Sequence, residues 1–204
     1  MKYLPLLFAS LFFSSSVIAV SDKPNTPIYE VEILVFKNMQ IEDQGTELWL
    51  QDIDPNNQPD VANASPVGGG IPAESTIKKI SDKLVASGYY TIISHKRWIQ
   101  DAIPKTEAKL IRIANSEENL DGTLLFYKGR FLHLGMNLIL TEELMPVGNT
   151  GDNRDLNGNA TSGNIVNSFV IKEDRRIRSV ALNYFDHPRF GVIVQVNQVN
   201  TSKQ

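Results

Sequence analysis

Alternation of apolar and polar positions dominates this chain. In residues 28–36, Tyr29, Val31, Ile33 and Val35 fall on one side and Glu30, Glu32 and Leu34 on the other. That period of two specifies a strand. Its alternation weakens towards the end, as expected when the second face is partly covered. The longest such run is residues 120–140. Leu124, Phe126, Leu132, Leu134, Met136, Leu138 and Leu140 take even positions, while Thr123, Tyr127, His133 and Asn137 take odd ones. Two readings fit this run: one long bent strand, or a hairpin turning at Lys128-Gly129. The apolar register continues on both sides of Gly129, which favours the long strand, with Gly129 and Gly135 as bulges or bends.

Shorter segments complete the pattern. Strands are expected at residues 89–93, 109–114, 165–171, 175–181 and 190–196, with a helical turn around Arg97, Trp98 and Ile99. A turn at Lys172-Glu173-Asp174 joins the third and fourth of these strands, and Val192, Val194 and Val196 share a face of the last. Residues 183–191 read as a tight corner anchored by Tyr184, Phe185 and Phe190, because Asp186 forms Asx-type turns and Pro188 holds His187 extended. Residues 74–87 are the one clear helix: Pro72 precedes it, Gly88 follows it, and Ile77, Ile80, Leu84 and Val85 form its apolar stripe. Residues 38–70 are mostly loop, with Leu48, Trp49 and Leu50 docking on the core. Residues 145–164 are rich in glycine and asparagine, and are expected to form a flexible insertion because so little apolar surface cannot offset ordering entropy. The fold class is α+β: a curved, barrel-like antiparallel sheet of about six or seven strands with one principal helix packed on it.

Composition adds a compartment and removes partners. Residues 1–19 have the form of a cleaved signal peptide, with Lys2, an apolar run from Leu4 to Phe13, and a small residue at Ala19. Residues 20–27 form a polar lead-in, and residues 28–200 a single domain. The apolar run is too short to span a bilayer comfortably. Cysteine is absent, so there is neither a lipid attachment point nor a disulfide, and no membrane anchor is expected. The chain carries 20 basic and 23 acidic residues, a balance opposed to nucleic-acid binding. At 42% hydrophobic content it is an ordinary globular chain rather than a disordered one.

Catalytic patterns are weak. The three histidines, His95, His133 and His187, lack the close spacing of a zinc motif. A site assembled in space from His133, Asp186 and His187 stays open as a metal-dependent hydrolase. No serine occupies a nucleophile elbow, and Ser94 and His95, neighbours on a strand, point to opposite faces. Glu142 and Glu143 border the insertion, a poor place for a rigid carboxylate pair. Arg175, Arg176 and Arg178 carry more interest. On a strand Arg176 and Arg178 share a face, and planar guanidinium groups pair with carboxylates. The competing reading is a solvated face neutralised by Glu173 and Asp174.

These residues also carry a family resemblance. The opening strand Tyr29-Glu30-Val31-Glu32-Ile33-Leu34-Val35-Phe36 resembles that of the CsiV family of periplasmic peptidoglycan-binding proteins. So do Trp98-Ile99-Gln100, Gly122-Thr123-Leu124, the stretch from Arg130 to Leu134, Arg175 to Ser179, and the segment from Tyr184 to Gly191. The chain departs from the family pattern at Ile99 and Asn183, and matches only loosely at Glu47-Leu48-Trp49. The resemblance implies a non-enzymatic, cofactor-free role. Its partners would be peptidoglycan and the outer-membrane lipoprotein activator of a class A penicillin-binding synthase. Exposed-arginine chemistry and motif position select Arg130, His133, Arg176, Arg178, Asp186 and His187 as candidate ligand-binding residues. A protein adaptor without glycan affinity, docking near Trp49, is the other non-enzymatic reading.

Overall fold

A computed structural model describes residues 26–40, 58–67, 74–144 and 165–199. The signal segment, Pro72, the Leu48-Trp49-Leu50 segment and the insertion at 145–164 lie outside the described residues. In chain order the elements are β1 (Ile28–Asn38), β2 (Ser65–Pro66), α1 (Thr76–Ser87), β3 (Tyr90–Asp101), β4 (Ile111–Arg112), β5 (Leu120–Lys128), β6 (Leu132–Leu144), β7 (Ile165–Ile177), β8 (Leu182–Asp186) and β9 (Phe190–Val199). Strands and one helix make the α+β class expected. The expected barrel-like sheet is replaced by two open sheets, ordered β3-β1-β9-β8 and β2-β4-β5-β6-β7. All pairings are antiparallel except the short β2–β4 contact.

One core lies between the two sheets. Tyr29, Val31, Ile33 and Val35 of β1 and Val192, Val194 and Val196 of β9 meet Leu124 and Phe126 of β5 and Leu134 and Leu138 of β6. Tyr29 and Phe126 meet edge to face across the gap, ring centroids 5.5 Å apart. The opposite side of β1 carries Glu32, Leu34 and Phe36, and α1 covers it. Ile77, Leu34 and Phe36 form this second cluster, with Ile80, Leu84, Ile92 and Ile193 around them. The stripe read from the sequence is thus correct except at Val85, which is exposed, whereas Ser81 is buried. The outer side of the five-stranded sheet has no helix over it among the described residues.

The end of α1 nearest β1 is tied down by polar groups. Ser75 is the N-cap: its Oγ accepts from the Lys78 amide at 2.8 Å and donates to Glu32 Oε1 at 2.6 Å. His95 Nε2 lies 2.7 Å from the same carboxylate oxygen. Glu32 and His95 are almost fully buried, so His95 serves the fold. At the other end Gly88 adopts φ 74°, the left-handed C-cap conformation.

Four local expectations are corrected. First, residues 120–144 form a hairpin, not one long strand, turning at 129–131. Continuity of register could not separate the two readings. Leu124 pairs with Met136 and Phe126 with Leu134, so an odd-length turn sets even positions against even ones, as a continuous strand would. Second, Gly135 is no bulge; it sits in regular pairing between Leu125 and Asp174. The irregularity falls instead where β1 meets β3, with the register shifting between Val35 and Phe36. Third, Arg97, Trp98 and Ile99 are strand, not a helical turn. Trp98 opposite Val31 packs on the core, while exposure of Ile99 hides the alternation. Fourth, β7 runs unbroken through Lys172-Glu173-Asp174. As a sheet-edge strand it places Lys172, Asp174 and Arg176 outward. Its inward Glu173 and Arg175 pair with each other at 3.4 Å, and Arg175 lies 3.7 Å over the Phe185 ring.

Val180, between β7 and β8, is the described non-glycine residue whose conformation costs most. It has φ 68° although β-branched, and is 68% exposed. Its amide donates to Val196 O at 2.8 Å and its carbonyl accepts from Gln195 Nε2 at 2.6 Å, which hold it there. Val180→Asn is expected to raise the denaturant midpoint, by about 1 kcal/mol of unfolding free energy, because asparagine tolerates this region and little apolar burial is lost.

Candidate functional site

Outward side chains on the five-stranded sheet come from odd positions of β5 and β6 and even positions of β7. The β5–β6 register therefore sets Tyr127 beside His133, and the β6–β7 register sets His133 beside Arg176. The Tyr127 and His133 rings stack at 4.9 Å and 14°. At the adjacent turn, Phe131 is exposed. Arg176 lies 3.5 Å above its ring and Arg130 lies 5.4 Å from it. Arg130 and Arg176 form no ion pair among the described residues, so two uncompensated cations flank one exposed aromatic ring. Arg178 is exposed just beyond the end of β7.

Beside this pair the charges are matched. Lys105 Nζ reaches Asp174 Oδ2 at 2.6 Å, and the Tyr127 hydroxyl donates to Asp174 Oδ1 at 3.0 Å. Burial pushes the Asp174 carboxyl up, yet those two donors and the nearby His133 hold it below the usual carboxylate range. Burial and the Asp174 charge raise the Tyr127 hydroxyl. Asp174 crosses the sheet over Gly135, where a Cβ would stand 3.6 Å from its carboxyl carbon. The cluster is thus a fixed polar platform beside the guanidinium groups of Arg130 and Arg176, which form no ion pair among the described residues.

The structure divides the six sequence-selected residues. Arg130, His133 and Arg176 come together, with Arg178 next along the chain. Asp186 and His187 do not join them. Asp186 is exposed at the end of β8. His187 packs inward against Phe169 and Phe190, with ring centroids at 5.4 and 5.9 Å. Phe169 pairs with Leu140, so His133 and His187 are separated by the β6 stretch from His133 to Leu140. At about 3.3 Å per residue that is more than roughly 20 Å. The metal site of His133, Asp186 and His187 is therefore excluded by geometry, and no other group of metal-ligating side chains gathers among the described residues. Glu142 is likewise committed, 2.7 Å from Lys37 and 3.3 Å from Arg189.

His187 serves this corner as a neutral ring. Its Nδ1 accepts from the Arg189 amide at 3.2 Å. Burial, then the Arg189 charge, lowers its pKa from 6.5. A depressed histidine stabilises the fold above its unfolded pKa, and that contribution is lost as pH falls through the folded value. Unfolding free energy should accordingly fall on acidification below pH 6.5, and His187→Asn should flatten that part of a pH series of urea melts.

Phe131, Tyr127, Lys105 and Asp174 were not selected from the sequence. Odd-position spacing on a hairpin would have placed Tyr127 beside His133. Lys105, in a loop remote from Asp174 along the chain, left no signal. A protein-family model described as a peptidoglycan-binding protein, CsiV, matches residues 72–199. No curated protein and no solved structure matches significantly.

Proposed function

This chain belongs to the CsiV family of peptidoglycan-binding proteins, and we propose that it holds the wall through the outer face of its five-stranded sheet. In this reading it is an exported periplasmic protein that performs no covalent chemistry. It supports wall synthesis by a class A penicillin-binding synthase working with its outer-membrane lipoprotein activator. The observation that carries the binding site is Phe131 between the guanidinium groups of Arg130 and Arg176, neither of them ion-paired among the described residues. Stem peptides present carboxylates, which guanidinium groups bind through paired, charge-assisted hydrogen bonds. An exposed ring beside them offers a flat apolar surface to a sugar face. His133 and Tyr127 stiffen the platform, and Arg178 extends its positive edge.

The test is co-sedimentation of purified protein with isolated sacculi, combined with analysis of the soluble products. The protein is expected in the pellet at moderate salt, with the muropeptide profile unchanged. Release of new fragments would overturn the non-enzymatic reading. Protein wholly in the supernatant, yet captured by the lipoprotein activator, would replace wall binding with the adaptor reading.

A further inference from the structure

The outward residues of β5 do not serve a single spot. Asp121, Thr123, Leu125 and Tyr127 point the same way, and they span about 20 Å at roughly 3.4 Å per residue. Asp121 lines an open hollow of about 400 Å³ with Ser116, Asn119 and Thr141. Thr123 and Leu125 line a second, of about 470 Å³, with Lys105 and Lys172. Tyr127 backs the platform of His133, Arg176 and Phe131 at the far end.

The chemistry changes along this line. In the first hollow Arg112 is spent on Asp121, through a bidentate pair at 2.9 and 2.7 Å. The Thr141 hydroxyl is engaged with that of Ser168 at 3.3 Å, so what remains there is the hydroxyl of Ser116 and the amide of Asn119, and these suit the hydroxyl and acetamido groups of a sugar. In the middle Lys105 and Asp174 neutralise each other. At the far end Arg130 and Arg176 form no ion pair among the described residues, and their guanidinium groups suit a carboxylate.

We infer that this face is a track for two consecutive repeats of the wall polymer, with the Ser116 end taking sugar and the Arg176 end taking a peptide carboxylate. The inference rests on the binding face assigned above and adds its length and polarity. A single disaccharide-peptide engages one end at a time. A longer chain engages both, and the second contact then forms at the effective concentration set by the first.

The test is binding of the purified protein to uncross-linked glycan-peptide chains of one to four repeats. Affinity is expected to rise at least tenfold from one repeat to four. Ser116→Trp, which fills the sugar end, should bring the longest chains back towards the affinity of a single repeat. Arg176→Ala should weaken every length. Equal affinity at all lengths, with Arg176 still required, would overturn the track and leave the binding face standing. Indifference of every length to Arg176→Ala would overturn both. The length series uses the unaltered chain, so the result does not depend on how the tryptophan variant folds.

Discussion

The Arg130→Ala, Arg176→Ala double variant is expected to keep its unfolding midpoint and lose sacculus binding by at least tenfold. Neither guanidinium forms an ion pair among the described residues; each lies against the Phe131 ring at the surface. Removing them leaves no buried partner unsatisfied, so the fold loses little. A charge-assisted hydrogen bond contributes about 1.5–3 kcal/mol, so losing even one carboxylate contact weakens binding more than about tenfold. The neighbouring Arg175 supplies the contrast. Its guanidinium donates to the Tyr184 carbonyl, pairs with Glu173 and stacks on buried Phe185. Arg175→Ala should therefore lower the melting temperature and leave sacculus affinity per folded molecule unchanged. Two adjacent arginines with opposite phenotypes, read by co-sedimentation and thermal melts, would mark which face meets the wall. Full retention of binding by the double variant would remove the platform as the site.

The Gly122→Ala variant is expected to be the most damaging small substitution, costing about 3 kcal/mol or more of unfolding free energy. A Cβ at this position would lie 2.7 Å from Leu138 Cα and closer still to the Asn137 carbonyl oxygen. Both are backbone atoms of the paired strand, so no rotamer change relieves the clash. The β5–β6 ladder must separate locally, and Leu138, in the core between the sheets, moves with it. Gly191→Ala should be milder, because its nearest neighbour is the Phe36 ring, a side chain. Gly135→Ala should be close to neutral, since its Cβ would meet Asp174 only at ordinary contact distance. Denaturant melts of the three variants should fall in that order, and a near-native midpoint for Gly122→Ala would refute the reading of this contact.

The comparison of these glycines shows where reading the chain alone fell short. Gly129 and Gly135 drew notice as breaks in an alternating run, yet Gly129 has open space around it and Gly135 sits in regular ladder. Gly122 entered only as part of a family motif and not as a constrained position, because its constraint comes from Asn137 and Leu138 on the opposite strand. Cross-strand approach is a property of pairing, and pairing partners are not written into local periodicity. The same holds for Lys172-Glu173-Asp174, where charge suggested a turn although an edge strand accommodates charge on both its faces.

The sequence alone determined the buried faces of the strongly alternating strands and the position of the helix. Period-two alternation identified Tyr29, Val31, Ile33 and Val35, and Val192, Val194 and Val196, as core, because burial on one side of a pleated strand selects every second residue. The helix and its Gly88 stop followed from its apolar stripe and from glycine's access to the left-handed region. Guanidinium chemistry and motif position offered Arg130, Arg176 and Arg178 as candidates. Tertiary structure alone decided that the strands divide into two sheets, that Arg176 meets Phe131 while Arg175 is spent on Phe185, and that His187 lies far from His133. Those outcomes depend on strand order and register, which bring together residues distant in the chain, and no local pattern encodes a distance between two strands.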